Sequence, residues 1–320
     1  MGRTAPKLIY HPIYSELELP DRHRYPIGKY RALYLALQQL GVPPDAFTLS
    51  ETADLPLVSQ VHQADYLNAL CSGQLDAKAM RRIGFPWSEQ LIRRSLLSVG
   101  GTVQSTALAL QHGIALHLSG GYHHAFADYG SGFCLLNDLA VAAQYALNQG
   151  VHKVLIFDCD VHQGDGTAAI FADNPAVVTC SLHGEKNFPY HKQRSDWDLA
   201  LDSQINDKDY LTAAEQSLDY LLRLHQPELV IYDAGIDIHQ DDDLGLLAVT
   251  TAGIARRDAL VLSRCRQAGI PVAAVIGGGY QRDLNRLTQI HLQLFYAAFA
   301  LCDAPLPTHP DWQWLASVTS

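Results

Sequence analysis

Four times along this chain a short apolar run breaks off into glycine and side chains that carry chemistry. Residues 114–118 run into Gly120-Gly121-Tyr122-His123-His124-Ala125. Residues 153–157 run into Asp158-Cys159-Asp160-Val161-His162-Gln163-Gly164-Asp165-Gly166. Residues 229–232 precede Asp233-Ala234-Gly235-Ile236-Asp237, and residues 272–276 precede Gly277-Gly278-Gly279-Tyr280. Helix-period segments lie between these runs, at 87–112, 137–148, 167–171, 207–225, 251–268 and 283–301. A strand at 7–10, a helix at 27–40 and a strand at 176–182 complete the reading. Strands separated by helices need crossover connections, which predicts a three-layer α/β/α fold around a mostly parallel central sheet. Such sheets bind ligands beyond the carboxyl ends of their strands, so all four polar clusters are expected along one edge.

Composition narrows the class. Nearly half of the 320 residues are apolar, enough for a large core, and without an internal repeat or linker tract the chain reads as one catalytic domain over 1–320. A net charge of −10 argues against broad affinity for nucleic acid, which needs a concentrated basic surface. Six cysteines without a C-x-x-C pair suggest reduced thiols rather than a disulfide scaffold. The first ten residues lack a cleavable apolar core. The longest uncharged stretch, 95–127, carries four histidines and many small polar residues, so no membrane span is expected. A cytoplasmic enzyme of unassigned oligomeric state is the simplest expectation.

Asp160 and His162 sit two apart on an extended segment and project to the same side, forming half of a divalent metal site. Asp237 is the best-placed third ligand, since three protein ligands with an open position typify a catalytic zinc site. Cys159 is then expected to face the other way. By itself an Asp-x-His pair is more often structural; the three further strand-end clusters reverse that weighting. His123 and His124 are candidates for a base and its electrostatic partner, with Asp158 and Asp165 available to fix their tautomers. For His112, His152, His225 and His291 a capping or solvated role is preferred. Tyr280, behind three glycines, is placed to donate a hydrogen bond to a developing oxyanion. Phe133, after Gly132, is read as a wall of an apolar tunnel.

Together these residues resemble the histone deacetylase superfamily, which has the arginase/deacetylase type of fold. The signature-bearing stretch runs from Gly120 to Tyr280. Tyr10-His11-Pro12, Val61-His62-Gln63-Ala64-Asp65-Tyr66-Leu67 and the turn at Asp242-Asp243-Leu244-Gly245 resemble its class IV branch. The resemblance implies zinc on Asp160, His162 and Asp237, with His123 and His124 paired to Asp158 and Asp165 and with Tyr280 on the acyl carbonyl. It also implies a channel lined by Gly132, Phe133, Phe188 and Gly278. A structural potassium ion is implied at Asp158, Asp160, His162, Ser181 and Leu182, partly through their carbonyls. Gln163 stands where many relatives carry a further histidine, a departure that class IV shares. The implied reaction is hydrolysis of acyl groups, acetyl or longer, from lysine side chains of proteins or peptides. Alternatives are an acetylpolyamine or other small-amide deacetylase, a two-manganese arginase-like ureohydrolase, and a non-catalytic acyl-lysine reader.

Overall fold

The computed structural model describes residues 5–304 and 306, so the reading of the N-terminus falls partly outside the described residues, at 1–4. The chain enters through β1 (Lys7–Tyr10), α1 (Lys29–Gln39) and β2 (Phe47–Leu49). Three short helices follow, α2 (Leu55–Val58), α3 (Ala64–Cys71) and α4 (Ala77–Ile83), before the long α5 (Glu89–His112). Then come β3 (Ile114–His117), α6 (Asp138–Asn148), β4 (Val154–Asp158), α7 (Asp165–Phe171), β5 (Val177–Gly184) and β6 (Trp197–Leu201). The last part holds α8 (Asp207–His225), β7 (Leu229–Asp233), α9 (Thr251–Gln267), β8 (Val272–Val275) and α10 (Leu284–Leu301).

All the strand pairs are parallel, and the strands form one sheet of eight in the order β2-β1-β3-β8-β7-β4-β5-β6. Every residue of β3, β4, β7 and β8 is buried, as expected for strands covered on both faces. One helical set packs α5 on α6; the other packs α1, α10, α9 and α8 in succession. Helix starts follow side-chain chemistry. Ser88, Asn137, Asn206, Thr250 and Asp283 each accept a hydrogen bond from a first-turn backbone N–H.

The fold agrees with the sequence expectation, and the differences have local causes. The short helix starts at Asp165, not residue 167, because Asp165 and Gly166 complete its first turn. The edge strand β6, missed by pattern, alternates exposed and half-buried side chains and carries Asp198. Strand β2 has three residues and helices α2 to α4 four to eight, too short for a periodic signal. The functional consequence lies in the strand order. The strands preceding the four polar clusters, β3, β8, β7 and β4, are immediate neighbours at the middle of the sheet.

Candidate active site

Asp160, His162 and Asp237 converge beyond β4 and β7, with ligand atoms within 4.8 Å of one another, all buried. His162 Nδ1 lies 2.9 Å from Asp160 Oδ1 and 3.2 Å from Asp237 Oδ2. The backbone fixes the carboxylates. Val161 N–H donates to Asp237 Oδ1 at 2.8 Å, and Gly278 N–H to Asp160 Oδ2 at 2.9 Å. That leaves Asp237 Oδ2 buried without a hydrogen bond among the described residues. A methyl group on Gly278 would sit 2.1 Å from Asp237 Oδ2 and 2.3 Å from Asp160 Oδ2, so only glycine keeps this space open. Two carboxylates, one imidazole, an orphaned anionic oxygen and a glycine-kept space fit a divalent cation. Without a cation, protons compensate the charge. Burial opposes protonation of His162, but the hydrogen bond to Asp160 and the close carboxylates of Asp160 and Asp237 outweigh it and push the imidazole up to about 10. Burial, then the Asp160 charge, raises Asp237 to about 7.

The tandem histidines follow β3. His123 Nδ1 donates to Asp158 Oδ2 at 2.7 Å, and His124 Nδ1 to Asp165 Oδ1 at 2.6 Å. Asp158 ends β4 and Asp165 opens α7, so two elements orient two adjacent rings. Burial opposes the charge on His123, yet Asp158 and Asp160 hold it well above the ordinary histidine value. Burial and then the neighbouring charge of His123 lower His124 to about 4. The two rings are thus pushed in opposite directions, His123 toward the cation and His124 toward the neutral acceptor.

Tyr280 faces the same place, its ring centroid 6.0 Å from that of His162. Burial and the charges of Asp160 and Asp237 keep its phenol protonated. Its backbone N–H donates to Asp242 Oδ2 at 2.7 Å, and Asp242 Oδ1 accepts from Leu244 and Gly245 in the acidic turn. Gly132, Phe133, Phe188, His124, His162 and Tyr280 line a cavity of about 540 Å³ that opens outward. Phe188 meets His124 edge-on at 4.8 Å, and Phe133 lies 6.0 Å from Tyr280. Phe133 has a φ of +66°, a conformation costly for a bulky residue, which marks this wall as constrained. Gly278 lies beneath the cavity, against the carboxylates rather than among the lining residues.

Ser181 and Leu182 lie on β5 beside β4, with Asp158 in register with Ser181. This sets Ser181 and Leu182, within β5, beside the end of β4 that leads into Asp160 and His162. Cys159 is buried away from the cluster beside Arg257, and burial pushes its thiol up to about 12. All six cysteines are free. His112 and His152 are exposed and His225 half-exposed. His291 departs from its expected capping or solvated role: α10 turns it into the core, against Gly279.

Sequence reasoning missed the groups beneath the site. Lys29 is buried and donates from Nζ to the Gly277 carbonyl at 2.9 Å, supporting the glycine turn that carries Tyr280. Arg257, wholly buried on α9, donates to the carbonyls of Gly235 at 2.6 Å and Ala234 at 3.0 Å, with Cys159 at 3.5 Å. Asp233, in register with Asp158, is fully buried, and neither oxygen has a hydrogen-bond partner among the described residues. Burial and the charges of Asp158 and Asp160 drive it toward its neutral form. Lone charged residues in helices carry no sequence mark of burial; Asp233, inside a recognised motif, could have been singled out.

The structure is thus a parallel α/β sheet with a buried Asp–His–Asp cluster next to an aromatic-walled cavity at its strand ends. The chain belongs to the histone deacetylase family, whose domain matches residues 23–295. An uncharacterised protein of Picosynechococcus sp. is 48% identical over 293 residues, covering 91% of this chain and 97% of that protein. Histone deacetylase 2 of Arabidopsis thaliana is 32% identical, covering 71% of this chain and 61% of its own. The acetoin utilization protein AcuC of Bacillus subtilis is 30% identical, covering 85% and 76%. Among solved structures, a histone deacetylase homologue from Aquifex aeolicus shares the fold with a TM-score of 0.78 at 23% identity, over 98% of this chain and 93% of that one. The match is to the histone deacetylase domain as a family and does not single out a branch.

Proposed function

We propose that this chain, acting as one catalytic domain, is a zinc-dependent amidohydrolase that removes acyl groups from lysine side chains of proteins or peptides. The observation that carries the reading is the pairing of a neutral, Asp165-oriented His124 with the Asp160–His162–Asp237 cluster on one tunnel. A zinc ion held by those three residues would polarise the acyl oxygen and acidify a water.

The protein's own groups supply the rest. His124 holds its Nδ1 proton on Asp165, so its Nε2 is the atom that accepts a proton from the attacking water and returns one to the leaving amine. His123, kept cationic by Asp158, offsets the negative charge that develops beside it. Tyr280 donates its phenolic hydrogen to the acyl oxygen as that oxygen gains charge. Phe133 and Phe188 exclude water from the acyl-lysine stem. A structural potassium ion on Asp158, Asp160, His162, Ser181 and Leu182 is part of the proposal, supported by the register of β4 and β5. So is a cytoplasmic location; no described helix is long and apolar enough to cross a membrane.

The test is a panel of fluorogenic lysine substrates, from acetyl to myristoyl, alongside acetylated polyamines, with and without a zinc chelator. Chelator-sensitive, zinc-restored release from acyl-lysine is expected. Tight binding without turnover of any acyl-lysine would refute the enzyme.

A further inference from the structure

The acidity of the whole chain is reversed at one place. Lysine and arginine number 23 against 33 acidic residues, so an average patch is negative. Beside the tunnel lies a second cavity of about 670 Å³, lined by Arg22, Arg24 and Arg282 among others. The two cavities share Leu244 and Tyr280, so they meet at the tunnel mouth. The tunnel itself adds Arg82 and Lys186. Around both cavities five lysine and arginine side chains line the walls with a single acid, Asp243, which is held 3.0 Å from Arg282. Arg22, Arg24 and Lys186 have no carboxylate partner among the described residues; Asp21 and Glu185, their chain neighbours, do not line either cavity.

These charges sit on anchored backbone. His23, between Arg22 and Arg24, contacts the Gly84 carbonyl through Nε2 at 2.8 Å and accepts from Tyr25 N–H at Nδ1. Its ring stacks on Phe85 and meets Phe133 of the tunnel wall at 5.8 Å. On the other side, Asp242 binds the backbone of Tyr280 while Asp243 holds Arg282. Arg82 is fixed across the mouth by the Gly130 carbonyl and the face of Tyr129.

We propose that the groove formed by Arg22, Arg24 and Arg282 is a carboxylate-binding subsite, so that preferred substrates carry an anionic group close to the acyl-lysine. Resting on the acyl-lysine reading above, this assigns the substrate class as acidic peptides or acyl-lysine bearing its own α-carboxylate. Polycationic acylated amines are disfavoured by the same charges. Arginine suits the role because its planar fork pairs with carboxylates in a bidentate fashion.

The test uses the zinc-loaded full chain and acetyl-lysine peptides that differ only in a flanking Glu, Gln or Lys. Nα-blocked acetyl-lysine, its α-amide and an N-acetylated polyamine separate the two carboxylate sources from a cation. The Glu peptide is expected to exceed the Gln peptide in kcat/KM by about threefold to tenfold, what one or two solvent-screened ion pairs supply, with the Lys peptide lowest. The preference should shrink as salt rises and fall to about one in the combined Arg22→Gln, Arg24→Gln, Arg282→Gln chain. Equal kcat/KM for the three peptides in the wild-type chain overturns the subsite, and that measurement does not depend on the variant folding. Fluorescence-anisotropy binding of the same peptides reads the groove even without turnover. The order Glu, Gln, Lys then supports the subsite while the deacylase reading fails, and equal affinities sink the subsite alone.

Discussion

Nε2 of His123 lies 3.2 Å from Nε2 of His124, and the two rings are driven toward opposite protonation states. The cause is asymmetric company. His123 faces Asp158 and Asp160, whereas His124 has one carboxylate, Asp165, and the positive charge of its neighbour. Environments that push two titratable groups apart assign them different roles.

A pH profile tests that assignment. Because His124 is lowered to about 4, its accepting form persists as pH falls, and the acid limb of kcat at saturating zinc is expected well below the ordinary histidine range. Burial is the larger cause of that depression and the charge of His123 the next, so His123→Ala should move the limb part of the way to higher pH while kcat drops. A limb that stays put in this variant removes the coupling.

Zinc affinity should depend on pH through His162. The imidazole is pushed up to about 10, so it is protonated at neutral pH in the metal-free protein and must lose that proton to become a ligand. Competition with a chromophoric chelator should show affinity rising about tenfold per unit between about pH 7 and about pH 9. Below about 7 the Asp237 carboxyl also holds a proton, and the slope should steepen. A flat dependence over that range would overturn the protonated state of His162 in the metal-free protein.

Gly278→Ala places a methyl group against both metal carboxylates, at 2.1 Å from Asp237 and 2.3 Å from Asp160. The expected outcome is loss of zinc, read by elemental analysis, and a thermal destabilisation of roughly 1 to 3 kcal/mol from overpacking. Full zinc occupancy in this variant would contradict the proposed cradle.

Tyr280→Phe keeps the ring and deletes the donor. Turnover is expected to fall at least about tenfold with zinc retained and KM little changed, the signature of an interaction made mainly in the transition state. Undiminished kcat would remove Tyr280 from the chemistry.

Much of this site was visible in the chain because its polar residues interrupt apolar runs. Asp158, Asp160 and His162 follow five buried residues or nearly so, and Tyr280 follows a strand and three glycines, so the strand-end rule alone brought them to one edge. Their supports were hidden for a physical reason. Lys29 and Arg257 lie on helices, where a lone cation ordinarily reads as solvent-facing, and only tertiary packing turns them inward. Arg22 and Arg24 belong to a loop without periodicity, so their meeting with Arg282 depends on contacts about 260 positions apart in the chain, which no local pattern encodes.

The guanidinium of Arg257 has a consequence for how the centre is built. By gripping the carbonyl just before Asp160 and two carbonyls shortly before Asp237, it ties the two loops that carry those carboxylates to one another. Asp258 holds that guanidinium in turn, and the Tyr232 hydroxyl donates to Asp258 at 2.6 Å. On the proposed reading, taking up a cation is the filling of a socket shaped in advance by packing rather than the gathering of loose ends.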